Sequence, residues 1–173
     1  MTAATGHLVL AAREGDSASF AAIVRAETPA AYRLALSIVR SPAEAEDAVQ
    51  EAFLRAWRDL GDLRDIESWP GWFRKLTVRA ALDQARRRRS VREIDFEAAD
   101  HPGVEGPDPT ERLELMRAFD RLGPDDRAVL ALRFFADLEV PDLAATLGIP
   151  LGTAKSRLHR ALDRLRVQMR QEP

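Results

Sequence analysis

Apolar residues in this chain recur every three or four positions and nowhere convincingly every two. That spacing limits the fold more than any other feature, because it asks for helices that each bury one face. The clearest case opens at Ser41-Pro42-Ala43-Glu44, a capping box with proline at the first helical position. Ala45, Ala48, Val49, Ala52, Phe53, Ala56 and Trp57 then follow the i, i+3, i+4, i+7 rule without a break. Ahead of it, Asp16 is placed to N-cap a helix carrying Phe20, Ile23 and Val24. Thr28-Pro29 reads as a second cap with proline at N1, opening a helix with Tyr32, Leu34, Leu36 and Val39.

The segment Asp59 to Trp72 interrupts the period with glycine, proline and acids and reads as a loop. A long helix follows from about Pro70 to Arg89, with Trp69, Trp72, Phe73, Leu76 and Ala80 on its apolar side. From Ser90 to Pro109 no period survives; Pro102, Gly103, Gly106, Pro107 and Pro109 stand among acids, as in a linker. Helical pattern resumes at about Thr110 and passes Gly123-Pro124 to reach Val129, Leu130, Leu132 and Phe134. The expectation is an all-α protein of two small helical bundles, residues 1–89 and 110–173, joined by a flexible acidic linker over 90–109.

Charge is distributed in blocks. The net charge of −2 favours no partner, but Arg74, Lys75, Arg79, Arg86, Arg87, Arg88, Arg89 and Arg92 form one basic cluster. Lys155, Arg157, Arg160, Arg164, Arg166 and Arg170 form a second, and acids lie between. No apolar run approaches the roughly 18 to 20 residues of a membrane span. The N-terminus lacks the pattern of a signal peptide, so the chain is expected to remain inside the cell. Cysteine is absent, which removes disulfides, thiolate metal sites and cysteine nucleophiles. His7, His101 and His159 are isolated, and no phosphate-binding or dinucleotide glycine loop occurs. No cofactor, metal or enzymatic activity is therefore expected.

The stretch Val140 to Leu147 makes a short helix that Gly148 ends, since glycine takes the left-handed C′ position cheaply. After Gly152 a second helix buries Ala154, Leu158, Ala161 and Leu165, which fall in a narrow sector at 100° per residue. Thr153, Ser156, His159 and Arg160 lie opposite, with Lys155 and Arg157 on the flanks. This is the form of a helix-turn-helix whose second helix enters a major groove, small and forked donors reading base edges while flanking cations hold phosphate. A plain helical hairpin with a solvated basic face fits the same pattern. A DNA-binding regulator and a helical adaptor both remain open on these residues.

The wording of the sequence carries a resemblance. "GTAKSRLHRALDRLR" resembles the recognition helix of region 4 in extracytoplasmic-function sigma factors, a compact group of the sigma-70 superfamily. "LGPDDRAVLALRFFADLEVPDLAATLGIPLGTAKSRLHRA", Leu122 to Ala161, is similar to that region almost throughout. "AREGDSASFAAIV", "SPAEAEDAVQEAFLRAW" and "WFRKLTVRAALDQARRRR" resemble successive parts of region 2, in the right order. Arg79 stands where the family usually has asparagine, Ala154 where it usually has valine, and Pro141 where it usually has another residue.

The resemblance implies that residues 1–89 dock on core RNA polymerase and bind and melt the −10 element, while residues 110–173 bind the −35 element. It implies docking on the β′ clamp through Asp47, Gln50, Glu51 and Leu54, contact with the β flap, and −10 contacts from Arg74, Lys75, Arg79, Arg86 and Arg87. The −35 contacts would come from Thr153, Lys155, Ser156, Arg157, His159 and Arg160. The loop Gly61 to Ser68 is where the family captures a flipped −10 base. An anti-sigma partner and a cytoplasmic, nucleoid-associated location, or retention at a membrane through that partner, are further expectations, without membrane insertion. Read from the residues alone, the Glu51–Arg55 face is solvated charge with i,i+4 pairing, Trp72 and Phe73 are core or stacking residues, and Arg86–Arg89 is a solubilising helix end or a phosphate contact. Twenty linker residues reach at most about 70 Å and average about 25 Å as a free coil. Modules on elements more than a helical turn apart sit over about 34 Å from one another, so the linker must be stretched or guided. By resemblance, its acidity lets it follow a basic channel of the polymerase.

Overall fold

The computed structural model describes residues 3–91 and 109–170, and among them there are helices and short connections but no strand. Eight α-helices succeed one another: α1 (Ala3–Arg13), α2 (Ser17–Val39), α3 (Pro42–Asp59), α4 (Trp69–Val91), α5 (Pro109–Asp120), α6 (Pro124–Leu130), α7 (Val140–Leu147) and α8 (Leu151–Arg170). The expected linker falls largely outside the described residues; its two ends, Ser90 and Pro109, are helical.

The first four helices form one bundle. Asp16 caps α2 as expected, its carboxylate accepting from the Ala18 N–H at 3.0 Å and from the Ser19 hydroxyl at 2.6 Å. Helix α2 does not restart at Thr28-Pro29; it runs straight through, with Pro29 inside. Proline removes the bond to the Arg25 carbonyl. Thr28 turns its hydroxyl back onto the Val24 carbonyl at 2.6 Å instead of capping forward. The Ser41 hydroxyl caps α3 by accepting from Glu44 N–H. Helix α3 then buries Ala45, Ala48, Val49, Ala52, Phe53 and Ala56 as its period dictates. Trp57 departs from that stripe, since it is 42% exposed at the edge and lies over Phe20 with ring centroids 4.8 Å apart. Small alanines let α3 approach α2 and α4 closely, and Ile23, Ile38, Trp69 and Val78 fill the centre. Each large apolar side chain buried this fully stabilises the fold by about 1.5–3 kcal/mol.

Two short 3₁₀ turns, Leu60–Asp62 and Ile66–Ser68, give the region between α3 and α4 more order than the sequence suggests. Leu60 and Leu63 are buried there, and Arg13 donates to the Leu63 carbonyl at 3.2 Å. Helix α4 begins at Trp69, whose ring is fully buried and stacks on Phe73 with an interplanar angle of 3°.

The second group, α5 to α8, contains a π-type turn, Ala131–Phe135, between α6 and α7. Its extra residue breaks the helical period that the sequence seemed to continue from α5. Phe134 and Phe135 consequently point outward, 58% and 60% exposed. Helix α7 ends at Gly148 with φ 67 and ψ 37, and the Gly148 and Ile149 N–H groups close onto carbonyls of the last turn. Helix α8 starts at Leu151, so Gly152 belongs to its first turn and the corner is only Gly148 to Pro150.

The two groups share one core. Ala128, Val129, Leu132, Leu138, Leu143, Ala144 and Ala154 belong to the same buried cluster as the residues of α1 to α4. Helices α6 and α7 pack directly on α2 and α4.

Candidate nucleic-acid interface and docking surface

Helix α8 has the two-sided form the sequence requires. Ala154 and Ala161 are fully buried, while Leu158 and Leu165 are partly buried beside them. Lys155, Ser156, His159 and Arg160 are exposed, and Thr153 and Arg157 half-buried at the margins. The outward donors rest on their own helix: Ser156 hydroxyl donates to the Thr153 carbonyl at 3.0 Å, and Arg160 Nε to the Ser156 carbonyl at 3.2 Å. Such i to i−3 and i−4 bonds exchange easily for bonds to a ligand. His159 lies 3.3 Å from Asp163, which also pairs with Arg166 at 2.9 Å. Arg164 pairs with Asp126 and ties α8 to α6.

Helix α4 arranges the other basic group. At 100° per residue Lys75, Arg79 and Arg86 fall within about 40° of one another, with Arg74 and Arg87 to either side. Arg79, Arg86 and Arg87 are exposed, and Arg74 and Lys75 half-buried. Arg86 pairs with Asp83 at 3.2 Å. Trp69 and Phe73 are core residues, the Trp69 indole N–H lying 3.4 Å from a Glu27 carboxylate oxygen; Trp72 is half-buried against the same core. In the loop, Gly61, Asp62, Arg64, Asp65, Glu67 and Ser68 are exposed above the buried Leu63.

On α3, Asp47, Gln50 and Leu54 are exposed, Leu54 at 59%. Glu51 differs: it is half-buried and accepts from Arg55 Nε at 2.7 Å, and Arg55 reaches Asp83 on α4 at 3.4 Å. The Glu51 hydrogen bond holds the Arg55 guanidinium above its ordinary value, so Glu51 also serves the α3–α4 contact. Next to this face the sequence left a feature unseen. Phe20, Val24, Tyr32, Phe53 and Trp57 line an open apolar cavity of about 550 Å³ between α2 and α3, with Gln50 and Leu54 on its rim. The signal was Trp57, a ring at the edge of the α3 stripe where a narrower core leaves it half in water. Among the described residues no cluster of three or more potential metal ligands occurs, and no helix is long and apolar enough to cross a membrane.

The family description Sigma-70 region 2 matches residues 23–91, and Sigma-70, region 4 matches residues 112–165. RNA polymerase sigma factor SigV of Bacillus subtilis is 34% identical over 141 residues, covering 82% of this chain and 85% of the relative. The chain belongs to the extracytoplasmic-function group of sigma-70 factors. An RNA polymerase sigma-E factor of Streptomyces antibioticus is 32% identical, with 90% and 87% of the two chains covered. Among solved structures, CnrH in complex with the cytosolic domain of CnrY matches with a TM-score of 0.70 at 22% identity, over 98% of this chain and 99% of that one. That likeness concerns the fold. The sigma factor RpoE of Bartonella quintana, co-crystallised with the anti-sigma factor NepR, matches with a TM-score of 0.69 at 26% identity, over 89% and 98%. A sigma factor acts with core RNA polymerase at promoter DNA and is an initiation factor, not an enzyme class. In this sigma factor α4 lies in the region 2 match, and α7 and all but the last five residues of α8 in the region 4 match.

Proposed function

We propose that the two modules divide promoter recognition as their surfaces suggest. Residues 110–173 read the −35 element through α8, and residues 1–89 hold polymerase through α3 and the −10 strand through α4. The observation that carries this reading is the geometry of α8. Its buried Ala154–Ala161 stripe fixes the helix to the bundle, so Lys155, Ser156, His159 and Arg160 are all presented outward on two turns. Arg160, Ser156 and Thr153 are assigned to base edges, and Lys155 and Arg157 to the backbone. On α4, the line Lys75, Arg79 and Arg86, flanked by Arg74 and Arg87, follows phosphates of the −10 strand. The exposed Asp47, Gln50 and Leu54, with Glu51 behind them and the apolar cavity alongside, receive the β′ clamp. Contact with the β flap falls to the residues 110–173 module.

The chain itself carries out no catalysis in this scheme; the polymerase does. The RpoE–NepR complex supports an anti-sigma partner for this chain as well, and a location in the cytoplasm, held at the membrane where that partner is anchored.

The test is run-off transcription with bacterial core polymerase on a matrix of −35 substitutions, for wild type, Arg160→Ala, Ser156→Ala and Lys155→Ala. Arg160→Ala is expected to relax choice at one base by about 1 to 3 kcal/mol, and Lys155→Ala to weaken all sequences alike and lower the salt slope by about one unit. Full base preference at every −35 position in Arg160→Ala would overturn the assignment. So would a changed base choice in Lys155→Ala alone.

A further inference from the structure

Helix α4 carries one residue of the wrong sign. At 100° per residue Asp83 lies about 40° from Arg79 and about 40° from Arg87, inside the basic face assigned to the −10 strand. A carboxylate there repels phosphate, and its contacts give it another use. Asp83 Oδ2 accepts from Nη1 and Nη2 of Arg55 on α3, at 3.4 and 3.5 Å. Its Oδ1 accepts from Arg86 Nη1 at 3.2 Å. Arg55 in turn gives its Nε to Glu51 at 2.7 Å. These side chains alternate in sign from one surface to the other: Glu51 behind the docking face of α3, then Arg55, then Asp83, then Arg86 on the basic face of α4.

The two middle groups are each shared. Arg55 divides its fork between two carboxylates, and Glu51 holds it more closely than Asp83 does. Arg55 is 21% exposed, so solvent screens this part less than open surface, whereas Arg86 is 64% exposed and able to swing outward. A cation brought up to Glu51 competes with Arg55 for its carboxylate. Arg55 then leans on Asp83, whose longer contacts have room to tighten, and Asp83 loosens its hold on Arg86. The exchange also runs backward. A phosphate that takes Arg86 leaves Asp83 to Arg55 and frees Glu51 for a cation, because coupling between two binding sites is reciprocal. With the exposed Asp47 on the same face, a cationic partner group is the one that charge favours there.

We propose that Glu51, Arg55, Asp83 and Arg86 form a charge relay in which a cationic polymerase group at Glu51 releases Arg86 to the −10 strand. Arg55 and Asp83 are its positioning residues. The inference rests on the assignment of α3 to polymerase and α4 to the −10 strand.

The test uses the full chain and a short dye-labelled single-stranded DNA of random sequence, read by fluorescence anisotropy. Glu51→Gln imitates the docked cation by removing the charge that Arg55 answers. It is expected to tighten DNA binding about twofold to fivefold, the range that partly exposed ion pairs give. The salt slope should steepen by about 0.7 for one more phosphate contact. Glu46→Gln, exposed on the same helix, removes an equal charge outside the relay and measures the general electrostatic effect. In an Arg55→Met or Arg86→Met background the Glu51→Gln gain should vanish. Arg86→Met alone should tighten binding of core polymerase by a similar factor, by reciprocity. A Glu51→Gln gain no larger than that of Glu46→Gln overturns the relay. So does a gain that survives Arg86→Met, since the released cation is then Arg55 itself, and so does unchanged core binding in Arg86→Met. DNA binding unaffected by Lys75→Met and Arg79→Met together instead overturns the assignment of α4 to the −10 strand, and the relay with it.

Discussion

Individual side chains set two measurable properties. Asp47 and Leu54 are exposed on α3 without serving its core, so changing both to arginine leaves the helix intact while reversing a charge and deleting an apolar contact. Co-purification with core polymerase is expected to fall at least tenfold with helix content by circular dichroism unchanged. Wild-type yield of the complex would rule the docking face out. Asp16 acts on stability. The Ser19 hydroxyl, and after it the Ala18 N–H, hold its carboxyl below the usual aspartate range. A carboxyl depressed in the folded state stabilises above its unfolded value, and the contribution vanishes as pH falls through the folded value. The midpoint difference between wild type and Asp16→Asn is therefore expected to shrink on acidification below the ordinary aspartate range. A difference that stays constant with pH would show that the depressed value has no bearing on folding.

At the level of elements, local patterns were legible where chemistry and period agreed. The Ser41 cap, the α3 stripe, the Gly148 stop and the Ala154–Ala161 face were all readable because each depends on residues within a few turns. Thr28-Pro29 misled for the same reason: cap followed by proline is a local signature, and only the packing of α2 along its whole length keeps the helix continuous there. Helix α1 escaped notice, and the π-type turn at Ala131–Phe135 is invisible to a 3.6-residue template. The proposed docking and DNA-contact residues rest on resemblance more than on periodicity, which separates inside from outside and cannot say what lies outside. Gly148 gives the element-scale prediction. Alanine fits spatially, with its nearest neighbour at 3.8 Å, so only the positive φ is penalised. Gly148→Ala is expected to cost about 1–2 kcal/mol in urea unfolding. A loss under a few tenths would mean that the corner relaxes to another backbone conformation.

For the molecule as a whole, the sequence could show that Ala128, Val129 and Leu132 face something apolar, but not that the partner surface is α2 and α4 across the linker. An amphipathic stripe has no address. Because those residues belong to one core, the free chain is expected to unfold in a single calorimetric transition. Leu132→Ala, which empties a fully buried position, should lower it by about 2–5 kcal/mol. Two resolved transitions, only one of them shifted, would show that the halves fold independently. The packing of α6 and α7 on the first bundle also has a quantitative meaning for competition among initiation factors over a limited supply of polymerase. A factor that is open one time in a hundred competes as though it were present at about one hundredth of its concentration. Each additional 1.4 kcal/mol or so of contact between the halves takes away another tenfold. If the packed form is the one that cannot claim polymerase, the apolar residues that the two halves share set a threshold, and the chain must accumulate before it initiates.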